Sequence, residues 1–280
     1  MKVAALARCL TNKTMPELPE VETIIRRLRP ELSGQTIISA QILWPRTLAG
    51  ISPNQFINLI SGQKIQGISR RAKYIDLQLA GLHLFIHLRM SGDLEIKDPS
   101  HQPEKHDRLA LRLSNNRQLV FNDTRKFGRV WLTAHAEDVV GNLGPEPFDP
   151  AFTPRVFHEL LKKKHRQVKP LLLDQGFLAG LGNIYTDEAL HFSGVHPERI
   201  SDTISIKEAE RLHGAILSVL LAGIEHNGAS IDWVYRGGKF QNYFRVYGRE
   251  GQPCQVCGAL INKIVVGQRG THFCPKCQEK

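Results

Sequence analysis

The chain contains no apolar run approaching eighteen residues, which excludes a transmembrane helix of ordinary length. It contains no internal repeat and no low-complexity tract, so a solenoid or a long biased linker is excluded too. Acidic residues are in short supply: 27 Asp and Glu face 37 Lys and Arg, giving a net charge of +10. An excess of that sign suits a polyanionic partner, against the blander reading of a merely soluble basic protein. The positive charge is spread along the sequence and builds no basic amphipathic helix, so nucleic acid is favoured over a membrane surface. Cysteine is nearly absent before position 254, where Cys9 stands alone, and four of the five cysteines crowd the last 27 residues. That distribution argues against a disulfide framework and for a metal site, with a reducing cytoplasm as the expected compartment.

What remains is ordinary globular material, 41% hydrophobic and 23% charged, and 280 residues suffice for more than one domain. A helix is predicted from Glu17, because Val21, Ile24, Ile25 and Leu28 recur at i, i+3, i+4 and i+7. Glu17, Glu20 and Glu22 lie in its first turns, where the helix dipole favours negative charge, and Pro30 and Gly34 should stop it. From Ile37 to Thr133 the pattern is of short strands: Tyr74–Leu79 and Leu82–Leu88, then alternation at Leu109, Leu111 and Leu113. A turn at Asn115–Asn116 leads to a further strand through Leu119 and Phe121. This predicts an antiparallel β-sandwich with one leading helix. Four prolines in Leu143–Pro154 mark a linker. Beyond it the period is helical, over Arg155–Lys163, Val168–Asp174, Gly182–Leu190 and Ile206–Asn227. Gly237–Gly238 opens a short C-terminal piece.

The cysteines in that piece read Cys254-x2-Cys257, sixteen residues, then Cys274-x2-Cys277. Two such knuckles surround one Zn2+ tetrahedrally, and the intervening residues suit a β-hairpin: Leu260–Val266, a turn at Gly267–Gly270, then Thr271–Phe273. The competing reading, a pair of redox motifs, lacks the βαβ pattern it would need. Four thiolates saturate zinc, so the metal should hold a fold and do no chemistry; His272 is left out of the ligand set. Arg269 at the hairpin tip is either a phosphate probe or a solvated turn arginine.

The segment Met15-Pro16-Glu17-Leu18-Pro19-Glu20 is ambiguous on its own. Pro-Glu is a good first helical turn. Yet if Pro16 were the terminal residue, its secondary amine would titrate near pH ~8 and could attack an electrophilic carbon to form an iminium.

The sequence resembles the formamidopyrimidine-DNA glycosylase family over Met15 to Lys280. The resemblance rests on motifs in order: MPELPEVE at 15–22, RRAKY at 70–74, HLRMSG at 87–92, HDRL at 106–109, NDTRKFG at 122–128 and LGPEP at 143–147. The second half adds KPLLLDQ at 169–175, GLGNIYTDEAL at 180–190, VYGREGQPC at 246–254 and QRGTHFCPKCQ at 268–278. The resemblance implies an α+β multidomain fold. An N-terminal antiparallel β-sandwich with a leading helix spans 15–147, a helical helix–two-turn–helix domain 148–238, and a C-terminal β-hairpin zinc finger 239–280. It implies a bifunctional glycosylase and AP lyase that removes oxidised purines through a Schiff base and then cleaves by β,δ-elimination. A monomer acting on double-stranded DNA, with one structural zinc, is expected.

Residue by residue, the resemblance makes Pro16 the nucleophile, Glu17 the acid that assists base departure, and Glu20 a supporting carboxylate. Lys73 and Arg269 take proton-donor roles in β- and δ-elimination. Met90, Arg125 and Phe127 match the residues that fill the gap left by an extruded base, and their types fit: apolar wedge, aromatic, and a guanidinium for the orphaned cytosine. His106, Lys169, Asn183 and Arg269 match DNA-backbone contacts, with Asn183 near a helix N-terminus. A lesion loop is placed around Gly228–Lys239. Cys254, Cys257, Cys274 and Cys277 are the zinc ligands.

Two departures stand out. Thr124 replaces the proline usual in its motif, loosening one turn. Met1–Thr14 precede the start motif, and with them Pro16 is an internal amide with no lone pair for attack. The expectation is an upstream start wrongly assigned; a processed leader and a retained extension are the other readings. A retained extension would favour a non-catalytic damage-binding protein. Leu18, where the endonuclease VIII type usually has glycine, favours oxidised purines over that sibling's oxidised pyrimidines.

Overall fold

A computed structural model describes residues 15–230 and 237–280. The expectation that Met1–Thr14 pack poorly therefore lies outside the described residues, as do positions 231–236 of the lesion loop. Helix α1 (Leu18–Leu32) has its apolar stripe divided between two cores. Leu18 is buried among the helices of the second domain, whereas Val21, Ile24, Ile25, Leu28 and Leu32 are buried in the sandwich. The helix thus crosses the domain boundary and carries Glu17 and Glu20 into it. Pro30 does not end α1: it lies inside the last turn on the exposed side, where its ring costs one backbone bond. The chain turns out at Ser33, whose N–H reaches Arg29 O at 3.1 Å.

Strand β1 (Ile37–Ile42) is followed by helix α2 (Pro53–Ile60), which the strand pattern did not reveal. Ser52 caps it reciprocally: Gln55 N–H donates to Ser52 Oγ at 3.4 Å and Ser52 N–H to Gln55 Oε1 at 3.3 Å. Phe56 and Ile60 anchor it in the core. Then come β2 (Gly67–Arg71), β3 (Tyr74–Gln78), β4 (His83–His87), β5 (Gly92–Lys97), β6 (Asp107–Leu113), β7 (Gln118–Asp123) and β8 (Arg129–Thr133). They form two four-stranded antiparallel sheets, ordered β1-β6-β7-β5 and β2-β3-β4-β8. Ile75, Leu77, Leu84 and Ile86 from one sheet meet Leu94, Leu109, Leu111 and Phe121 from the other.

After the short α3 (Glu137–Val140), the proline-rich stretch is no free tether. Its Glu146 accepts from Arg70 Nη1 at 2.8 Å, Arg71 Nη1 at 2.9 Å and the Ala72 N–H. Helices α4 (Pro154–Lys162), α5 (Val168–Leu173), α6 (Asn183–Ser193) and α7 (Ile206–Glu225) build the second core around Leu171, Tyr185, Leu212 and Ile216. The C-terminal hairpin pairs β9 (Asn262–Val266) with β10 (Arg269–Phe273). Its turn is two residues, Gly267 and Gln268, both at positive φ (54° and 63°), as a type I′ turn requires. Arg269 is therefore the first residue of a strand, opposite Val266, and not a turn residue.

Candidate active site and DNA-facing cleft

The two glutamates that open α1 are almost fully buried, at 2% and 3% exposure. Glu17 is met by the N-terminus of α6: its carboxylate accepts from Gly182 N at 2.7 Å and Ile184 N at 2.9 Å. A Cβ on Gly182 would sit 2.2 Å from the Glu17 carboxyl carbon, so only glycine lets the two elements meet. Glu20 accepts from Tyr185 Oη at 2.8 Å, Ala229 N at 2.7 Å and the Glu17 N–H at 2.9 Å. Gly228, at φ 76°, is equally confined, since a Cβ there would fall 2.7 Å from Glu20 Oε1.

Amide donors and a helix N-terminus favour the carboxylate form, yet burial wins. The Glu17 pKa is pushed up to about 7 by removal from water, with Lys73 pulling it down and Glu20 adding to the rise. Burial also raises Glu20. Lys73 is 4% exposed and follows Ala72, which takes φ 52° in the two-residue connection between β2 and β3. Burial lowers its pKa, opposed by Glu17 and Glu20 and aided by Arg269. Lys73 thus feels the buried acids and the hairpin arginine at once, groups brought together from the N-terminal domain and the C-terminal hairpin.

They line an open cleft of about 880 Å3 between the domains. Met15 and Glu17 lie on its wall with Lys73, Asn183 and Arg269, and Met90, Arg125 and Phe127 line it too. The last three meet: Arg125 Nη1 lies 3.1 Å from Met90 Sδ, and its guanidinium carbon 4.8 Å from the Phe127 ring centre. Phe127 is 49% exposed, an aromatic held in solvent. The loop beneath is tied by Asp123, fully buried, which accepts from Ser91 Oγ, from Arg125 N at 3.1 Å and from Gly128 N at 2.7 Å. Thr124 is exposed and leaves these bonds intact. Arg89 and Arg129 also line the cleft, so among the described residues its cations outnumber its one acid, Glu17.

Lys169 requires correction. It is fully buried, its ammonium held by Asp187 Oδ1 at 2.6 Å, Thr271 Oγ1 at 2.8 Å and Gly270 O at 3.0 Å. Placed so, it meets no phosphate; it pins β10, and with it Arg269, to α6. Asn183 is half-buried at the start of α6, and its Nδ2 donates to the same Gly270 O at 3.0 Å. His106 is half-buried, ahead of β6. Helix α6 also holds residues that sequence reasoning did not single out. Asp187 accepts the His272 N–H at 2.9 Å, and Glu188 accepts from Arg245, Val246 and Tyr247 N–H at 2.9, 3.0 and 2.8 Å. Their signal was present as two consecutive acids, Asp187 and Glu188, inside the predicted helix Gly182–Leu190.

The four cysteine sulfurs lie within 4.8 Å of one another. Cys257 and Cys274 are 3.4 Å apart, and Cys254 and Cys277 3.9 Å. A tetrahedron with Zn–S bonds of ~2.3 Å places its sulfurs ~3.8 Å apart, so four soft thiolates at these distances fit one zinc. Among the described residues, the histidine hydrogen-bonded to the cluster is His191 of α6, its Nε2 3.4 Å from Cys254 Sγ.

Comparisons with known proteins agree with this arrangement. Residues 15–130 match the formamidopyrimidine-DNA glycosylase N-terminal domain, 143–234 its H2TH domain, and 251–280 the zinc finger found in FPG and IleRS. The formamidopyrimidine-DNA glycosylase of Chloroflexus aggregans is 45% identical over 94% of this chain and 98% of its own. That of Protochlamydia amoebophila is 42% identical over 95% and 100%. The Lactococcus lactis Fpg in complex with abasic-site DNA superposes with a TM-score of 0.88 at 39% identity, covering 95% of this chain and all of that one. A MutM complex with DNA containing carbocyclic 8-oxo-G gives 0.88 at 40%, with the same coverage. The chain belongs to the formamidopyrimidine-DNA glycosylase family.

Proposed function

We propose that the protein is a bifunctional DNA glycosylase and AP lyase of base-excision repair, acting as a monomer on oxidised purines in double-stranded DNA. Relatives of the formamidopyrimidine type, with lesion- and abasic-DNA complexes among the similar structures, support this over an endonuclease VIII assignment. In this reading the Pro16 amine attacks C1′ of the damaged nucleotide, forming a C–N bond as the glycosidic bond breaks. The proton the amine gives up goes to the departing base, protonated Glu17 supplies the one that lets the ring oxygen leave C1′ as the iminium forms, and Glu20 holds α1 against Tyr185 and Ala229. Lys73 and Arg269 donate protons in the two eliminations that cut the strand. Met90, Arg125 and Phe127 occupy the stack behind the extruded nucleotide, and His106 and Asn183 contact its backbone. Zinc supplies the fold of the hairpin that carries Arg269.

The observation that carries this reading is the cleft wall itself. A carboxyl group with a pKa of about 7 stands in the same cleft as Met15, the residue joined to the Pro16 nitrogen, and beside a buried lysine. A polypeptide that begins at Pro16 frees the nitrogen and the space Met15 occupies. Incubation of such protein with an 8-oxoguanine duplex should release the base and leave phosphates on both sides of a one-nucleotide gap. An intact strand after complete binding would contradict the reading and favour a non-catalytic damage binder. Intact mass and N-terminal sequencing of the native protein report which terminus it carries. No described helix is long and apolar enough to cross a membrane.

A further inference from the structure

Arg108 is a cation that the proposed chemistry does not use, and it is 4% exposed. It sits at a β-bulge: Asp107 pairs with Asn122 and Leu109 with Phe121, so β6 carries one residue more than β7 across this step. Bulges re-aim side chains and interrupt ladders. Here the backbone carbonyl of Arg108 accepts two N–H groups, Leu43 at 3.0 Å and Trp44 at 3.1 Å. Among the described residues its guanidinium meets no carboxylate. Nε donates to Asp123 O at 2.7 Å, Nη1 to Lys105 O at 3.1 Å and Asp107 O at 3.3 Å, and Nη2 lies 3.4 Å from His106 Nδ1. The acid nearest in sequence is occupied elsewhere: Asp107 binds Asn122 Nδ2, His101 Nε2 and Glu104 N, each at 2.9 Å.

A guanidinium in a protein is always a donor and never an acceptor. The His106 nitrogen facing it must therefore offer a lone pair. The ring is then neutral at Nδ1 with its proton on Nε2, and among the described residues no protein group takes that proton. We infer that Arg108 is a positioning residue that fixes His106 as the Nε2–H tautomer, so that the ring presents one hydrogen-bond donor to a backbone phosphate oxygen. The same guanidinium holds Asp123 O, and Asp123 carries the loop of Arg125 and Phe127. Arg108 thus sets the donor and the wedge in register from one buried point. The phosphate half of this inference rests on the DNA-contact reading of His106; the tautomer half does not.

The test is nitrogen-15 NMR of histidine-labelled full-length protein at alkaline pH, with His106 assigned by its loss in His106→Gln. Wild type should show a protonated Nε2 and a bare Nδ1. Arg108→Met should move both resonances toward a mixture of tautomers, and Arg108→Lys should restore part of the preference. Affinity for an abasic-analogue duplex should fall roughly tenfold in Arg108→Met and in His106→Gln, and no further in the double variant. A proton on Nδ1 in the wild type overturns the inference without any variant having to fold. So does an unchanged tautomer in a folded Arg108→Met, or additive losses in the double variant. The stated tautomer together with unimpaired binding by His106→Gln would remove His106 from the DNA contacts and refute the phosphate half alone.

Discussion

Lys73 and Lys169 are both buried, and burial depresses both pKa values, yet they are built for opposite work. Lys169 has three short partners, an aspartate, a hydroxyl and a carbonyl, and nothing left to offer. Lys73 has no hydrogen-bond partner of its own among the described residues; it lines the cleft and feels Glu17 and Glu20 only through space. A buried cation that is fully satisfied holds structure together. One left with only distant counter-charges is, in the function proposed above, kept for a group that arrives later. Burial and residue type alone do not separate these cases; the partners do.

The contrast can be broken first at Lys169. Lys169→Met leaves Asp187 buried without its cation and should cost about 3–5 kcal/mol of stability in urea unfolding, the usual penalty for half a buried pair. Lys169→Met with Asp187→Leu should recover most of that. Lys73→Met should do the reverse. Strand cleavage at a preformed abasic site should slow by ~100-fold or more in single-turnover assays, as for loss of a proton-transfer group. Stability should stay within about 1 kcal/mol, because Glu17 compensates by taking a proton.

The pH dependence sharpens the same point. The proposed acid works while protonated, so activity is lost as pH rises through the Glu17 value of about 7. The proposed amine works while deprotonated, so activity is lost as pH falls through ~8. The product of the two fractions is a bell with its maximum between these values, each limb falling about tenfold per pH unit. Lys73 holds the Glu17 value down, so Lys73→Met should move the alkaline limb upward. The smallest effect on the fold is expected at Phe127, half in solvent: Phe127→Ala should leave stability within about 0.5 kcal/mol while weakening lesion-duplex binding in a titration.

Much of this was legible in the sequence wherever one local rule decided the outcome. The i, i+3, i+4, i+7 stripe placed α1, the strand alternation placed the sandwich, and two C-x2-C pairs placed the metal cluster. Helix α2 escaped because its eight residues sit among strands, although Ser52 and Gln55 carried a capping signature. Pro30 misled because one missing amide in a last exposed turn is cheap. The larger gaps share one cause, partners far apart in sequence. Glu17 is held by amides 165 and 167 residues away, Lys169 by a hairpin 101 and 102 residues away, and Glu146 clamps Arg70 across 76. A family motif marks such positions without saying which way the side chain faces, and Lys169 faces inward.

The Pro16 nitrogen, as the proposed nucleophile, works only as a terminus. Borohydride trapping on an 8-oxoguanine duplex, followed by peptide mapping, tests it with two proteins, one beginning at Pro16 and one retaining Met15. A covalent adduct mapped to Pro16 is expected in the first and none in the second. An adduct of equal yield in both, or one mapped to Lys73, would contradict that assignment.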